Sequence, residues 1–147
     1  MSSSSSISAV RTPRETVEQL LHTYVHGART DVADFYALDA RIQNPWAADE
    51  ASREFNDGRE ALRARFEMTA ELLSFDAVRD VRIHETTDPE ELVLELRFDV
   101  SVRATGAKHG IGFVWFLHIV DGLIVSSRDY SNPLESAELF KAVGLGS

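Results

Sequence analysis

The chain has 147 residues, a formal net charge of −9 and no cysteine. A length of this order is one domain, large enough to fold without a disulfide or metal. The missing thiols exclude a disulfide scaffold, a thiolate zinc site, an iron–sulfur cluster and a cysteine nucleophile. With only 15 lysines and arginines, the acidic balance speaks against nucleic acid or an anionic membrane surface as partner.

Ser2–Ser6 is a serine run with no signal-length apolar stretch behind it. Residues 1–11 are therefore expected to be a disordered tail, followed by a single domain over 12–147. Thr12-Pro13-Arg14-Glu15 has the form of a capping box with proline at the first helical position. Val17, Leu20, Leu21, Tyr24 and Val25 then recur at helical spacing to about Gly27. A short second helix is expected near Asp31–Phe35, and a short strand over Ala40–Asn44, stopped by Pro45. Asp57-Gly58-Arg59-Glu60 opens another helix, with Leu62, Phe66, Thr69, Leu72 and Leu73 along one stripe.

After residue 74 the period changes. Phe75–Glu85, Leu92–Arg103, Ile111–Val120 and Leu123–Tyr130 are strand-like runs, separated by the turn signals Thr87-Asp88-Pro89-Glu90, Thr105-Gly106 and Asp121-Gly122. Asn132-Pro133-Leu134-Glu135 caps a short terminal helix ending at Gly144. Helices first and then an antiparallel meander is an α+β plan. Ile111–Leu117, the longest apolar stretch, is broken by Gly112, so no membrane span is expected. The expected location is cytoplasmic.

Alternation sorts the chemistry onto faces. Leu92, Leu94, Leu96, Phe98 and Val100 make a packed face, with Glu95, Arg97, Asp99, Ser101 and Arg103 opposite. Asp129 ends a row containing Leu123, Val125 and Ser127, and an apolar setting raises a carboxyl's pKa or demands a partner for its charge. Arg97 is a candidate partner, with Asp99 beside it. Phe113, Trp115 and Leu117 share one face of a strand that is apolar on both sides. His22 and His26 have metal-ligand spacing but no evident third ligand, so no metal site is assigned.

These residues carry a resemblance. The helix–helix–strand order, the Asn44-Pro45 stop, the Gly58–Ala61 helix start and the four strands resemble the cone-shaped fold of the ketosteroid-isomerase and nuclear-transport-factor (SnoaL-like) superfamily. That implies a curved, mixed or antiparallel sheet wrapped by N-terminal helices. Arg97-Phe98-Asp99-Val100 and the run Asp121–Tyr130 are most similar to the limonene epoxide hydrolase branch. There an arginine bridges two aspartates, so the resemblance implies Asp129 as base, Asp99 as acid, Arg97 as bridge and Asn44 as holder of the attacking water. Ile42 stands where that family has its second water-positioning residue, a tyrosine; Tyr24 and Tyr36 are possible substitutes. The phenazine-biosynthesis isomerase branch is similar through Asp121–Pro133, with a glutamate at the position of Asp129, and its helix histidine falls on Arg65. The expectation is a cofactor-free enzyme for a small lipophilic substrate. Epoxide hydrolysis leads, with isomerase, cyclase or dehydratase chemistry on Asp129, or plain ligand binding, as the alternatives. Trp115, Phe113, Tyr24, Trp46, Phe66 and Leu117 are expected to line the pocket, and the chain is expected to form a homodimer.

Overall fold

A computed structural model describes residues 10–144. Helix α1 (Pro13–His26) starts as its sequence dictates: Glu15 N–H donates to Thr12 Oγ1, and Thr12 N–H donates to the Glu15 carboxylate. It buries Val17, Leu20 and Leu21. A 3-10 segment over Arg29–Phe35 leads into strand β1 (Tyr36–Gln43), which begins four residues earlier than the sequence suggests. A second 3-10 turn (Glu50–Ser52) and the two-residue strand β2 (Glu54–Phe55) follow, neither of them signalled by composition. Helix α2 (Arg59–Leu72) starts behind Gly58, whose φ of +89° and whose approach to Leu38 admit no side chain: an added Cβ would lie 2.5 Å from the Leu38 carbonyl oxygen.

Four long strands complete the sheet: β3 (Leu73–Glu85), β4 (Glu91–Val102), β5 (Lys108–Val120) and β6 (Leu123–Ser131). Asp121 and Gly122 both have positive φ and make the tight turn between β5 and β6. Asn132 caps helix α3 (Pro133–Ala142) through its side-chain oxygen. The strands lie in the order β2-β1-β6-β5-β4-β3, antiparallel except for the parallel pair β1–β6. The sheet is curved and unclosed, in the cone form the resemblance implies.

Helices α1 and α2 cover its inner face. There Leu92, Leu94, Leu96, Phe98, Val100 and Val102 are buried at every second position of β4, facing Leu117, Trp115, Phe113 and Ile111 on β5. One irregularity decides which way β6 points. His118 pairs with Ser126 and Ile119 with Ile124, leaving Val125 as an extra residue in the ladder. Across that bulge the alternation inverts, so buried Ile124 and buried Ser127 both face inward. The row expected beside Asp129 is corrected accordingly: Ser127 belongs to it, and Ile124 replaces Leu123 and Val125.

Of the tail expected over 1–11, residues 1–9 lie outside the described residues. Arg11 is docked, its guanidinium over the Phe35 ring and donating to the Gly122 carbonyl. Among the described residues no helix is long and apolar enough to cross a membrane.

Candidate active site

Asp129 is carried inward near the end of β6, directly opposite Trp115 on β5, which in turn lies opposite Leu94 on β4. Directly opposed residues of an antiparallel pair share a face, so carboxyl, indole and leucine share the inner face of the sheet. Aromatic rings pack against that face. Tyr24 of α1 stands 5.0 Å from Phe98 and 6.3 Å from Trp115, ring centre to ring centre. Phe66 of α2 meets Tyr24 edge-on at 6.1 Å and Tyr36 at 6.4 Å. Phe113 is 5.6 Å from Trp115. Of the expected lining residues, Tyr24, Phe66, Phe113, Trp115 and Leu117 all lie on this inner side, Leu117 as part of the sealed core.

A half-buried carboxyl among such rings is poorly solvated when charged. Desolvation pushes Asp129 up to about 7, against the hydrogen bond from Ser127 and the more distant charge of Arg65, both of which favour the anion. Ser127 Oγ donates to Asp129 Oδ1. The coupling runs both ways: burial foremost, then the Asp129 charge, holds the Tyr24 phenol well above its ordinary value, with Arg29 opposing. Tyr36 is raised by burial first, then by Tyr24 and Asp129. Carboxyl, serine and two phenols therefore form one electrostatic group, protonated in part at neutral pH. Such a group can take a proton from a bound molecule and return it elsewhere without a metal.

Trp115 adds a second feature. Its ring is 5% exposed, and its indole Nε1–H is buried without a hydrogen-bond partner among the described residues.

Arg97 and Asp99 are placed elsewhere. Both stand on the outer face of β4, opposite Gly112 and Gly110. Arg97 makes a bidentate pair with Glu135 of α3 (2.6 and 3.3 Å), and Glu135 also accepts from Gly112 N–H at 2.9 Å. Asp99 accepts from Arg79 Nε at 3.0 and 3.1 Å. The expected bridge from Asp99 through Arg97 to Asp129 is not assembled, because the sheet lies between the two carboxyls. Glycines at 110 and 112 leave room for the guanidinium on that outer side: an added Cβ would fall 2.8 and 3.1 Å from its nitrogens.

Asn44 is half-buried just beyond β1, whose Ile42 runs parallel to Ser127; its backbone N–H donates to the Arg53 carbonyl. Trp46 is corrected as a lining residue of the inner site. It is exposed and meets Tyr130 edge-on over the outer face, where it joins Phe116, Val114 and Arg97 around an open groove of about 1040 Å³. Ser127 and Tyr36 are the companions of Asp129 that sequence reasoning underused. Alternation places Ser127 beside Asp129, whereas Tyr36 arrives through the parallel β1–β6 pairing, which leaves no local signal. Asp88, Glu91 and His118, the last of them three positions along β5 from the residue opposite Asp129, bring ligand atoms within 4.8 Å of one another, an exposed to half-buried grouping of a kind common without an ion.

A model of the SnoaL-like domain matches residues 17–127. An uncharacterised PhzA/B-like protein of Pseudomonas aeruginosa is 26% identical over 130 residues, 88% of this chain and 91% of that protein. Among solved structures, a candidate isomerase of Bacillus subtilis superposes with a TM-score of 0.79 at 19% identity, covering 88% of this chain and 92% of that one. An LEH-like epoxide hydrolase of M. tuberculosis superposes at 0.67 with 16% identity, covering 91% and 90%. At those identities the two structures speak for the fold.

Proposed function

Since the chain belongs to the SnoaL-like domain family, we propose that it is a cofactor-free acid–base enzyme of the isomerase or cyclase type, acting on a small apolar molecule. The observation that carries this is Asp129, a lone carboxyl on the inner face of the sheet among packed aromatic rings, pushed up to about 7 by desolvation. A general base works best when its pKa lies near the working pH, because it is then both available as the anion and strong enough to take a proton. In the proposed reaction the Asp129 carboxylate takes a proton from a substrate carbon and the resulting acid delivers it to another carbon. Ser127 orients the carboxylate, and Tyr24, Phe66 and Phe98 hold an apolar substrate against it.

Epoxide hydrolysis is the second reading, kept because the chain shares its fold with an LEH-like epoxide hydrolase. It is ranked lower because ring opening needs an acid and a base on one wall, and Asp99 lies on the other side of the sheet, paired with Arg79. As an assembly we propose a homodimer, supported by exposed Trp46 and Phe116 in the outer groove and by the mixture of Arg82 and Arg97 with Glu95 and Asp80 around it.

The test is a panel of small unsaturated cyclic compounds and epoxides, incubated in deuterated and in oxygen-18 water with wild type and Asp129→Asn. Deuterium entry or double-bond migration that the substitution abolishes is the expected result. Turnover that Asp129→Asn leaves untouched, or diol formation from an epoxide as the sole activity, would overturn the isomerase reading.

A further inference from the structure

Residues four apart on a helix stand on one face, one turn above the other. His22 and His26 are such a pair on α1, both exposed, and their rings face each other with 4.7 Å between centroids and a tilt of 40°. Neither has an acid as partner: among the described residues the acids that approach a histidine do so at His84 and His118. Both rings line a cleft of about 430 Å³ between α1 and β3, beside apolar Leu21 and Val25. The cleft is built for positive charge. Glu18, one turn before His22, and Asp76 of β3 lie on it, and no lysine or arginine does. Lys108 stands 4.0 Å from Asp76 and offsets part of that charge. Helix α1 ends at His26, so the negative end of its dipole, with the last unpaired carbonyls, adds to the field.

We propose that His22 and His26 chelate one divalent transition ion of the zinc and nickel class, one ring nitrogen each, with water completing its shell. Each nitrogen would stand about 2.0–2.1 Å from such an ion. Rings already face to face on exposed side chains reach that geometry by rotation alone. Imidazole nitrogen selects these ions over magnesium and calcium, which demand oxygen. The chain has no cysteine, so no thiolate competes for the ion. Glu18 and Asp76 contribute charge and not ligand atoms; the Asp76 carboxylate is already held by Ser74 and Ser101. With half the ligands of a structural zinc site, and roughly half its binding free energy, the pair should hold the ion with a Kd of roughly 1–100 µM. The ion takes no part in the reaction assigned to Asp129. It clasps the last turn of α1, the turn from which Tyr24 reaches the inner face.

The test titrates the full chain with zinc chloride, nickel chloride and magnesium chloride by calorimetry, beside His22→Gln, His26→Gln and His118→Gln. Expected are one zinc or nickel ion per chain in that affinity range and no binding of magnesium. Either His22→Gln or His26→Gln should weaken zinc at least tenfold, and His118→Gln should leave it unchanged. All three side chains are exposed or half-buried, so the variants keep the fold. Protein labelled with nitrogen-15 at histidine gives a second readout: of its five imidazoles, those of His22 and His26 should shift together when zinc is added. Zinc affinity that survives His22→Gln or His26→Gln overturns the proposal. So does binding lost in His118→Gln, which would put the ion with Asp88 and Glu91. Magnesium that displaces zinc would make the site one of carboxylates and overturn it too, as would a zinc Kd weaker than about 1 mM.

Discussion

Replacing Asp129 by asparagine keeps the side chain's shape and removes its ionisation, so the substitution isolates what burying that charge costs. The carboxyl moves from 3.8 in the unfolded chain to about 7 in the folded one. The folded state therefore holds the proton more tightly. Its stabilising effect is complete below pH 3.8, is lost as the pH rises through 7, and levels off above. At about 1.36 kcal/mol per pH unit of displacement the full span is roughly 4 kcal/mol, of which about 2.5 kcal/mol falls between pH 5 and pH 8. For a chain of this size that corresponds to roughly 8–10 °C in Tm. Thermal melts of wild type and Asp129→Asn at both pH values and one ionic strength measure it, because every other titrating group is common to the two proteins. The variant should gain on wild type by that interval as the pH rises. A gap that stays constant to within about 2 °C would show that Asp129 is solvated when charged, and the case for it as a tuned base would fall with it.

The rate of the proposed reaction should rise with pH through an inflection at about 7, the ascending limb of a base that works ionised, and Asp129→Asn should lower kcat by roughly 10²–10⁴ across the profile. Arg97→Ala should leave kcat within about threefold while costing roughly 1–2 kcal/mol in denaturant unfolding, because its partner is Glu135 of α3. A kcat loss as large as that of Asp129→Asn would restore it to the chemistry. Thr16→Val should cost about 1 kcal/mol, since its buried hydroxyl donates to the Gly122 carbonyl at the β5–β6 turn. Trp46→Asp should convert the proposed dimer to monomer in sedimentation equilibrium, and an unchanged mass would remove the outer groove as the interface.

Features that one segment determines by itself were legible in the chain. The Thr12 capping box, the Asp121-Gly122 turn and the two-residue period of β4 each follow from neighbours a few positions apart, and each is found where expected. Features that need distant partners were not. The early start of β1 depends on parallel pairing with β6, more than 80 residues on, and β2 exists only as an edge on β1. The fate of Arg97 shows the same limit at the site. Its strand position was legible, but its partner depended on two glycines of β5 and on a helix folding back from the far end of the chain. Resemblance joined Arg97 to Asp129; the register of three strands parts them.

The extra residue at Val125 makes the orientation of Asp129 a matter of parity. Ile124 and Asp129 are five positions apart, an odd interval that would put them on opposite sides of a regular strand, yet both face inward. Losing the extra residue would leave an interval of four, which a regular strand places on one side, so the carboxylate would stay inside without any bulge. Losing a residue while the bulge persisted, or mending the bulge without losing one, would turn the carboxylate into water. Homologues that retain an inward carboxylate should therefore pair an odd interval with a bulge or an even interval with a regular strand.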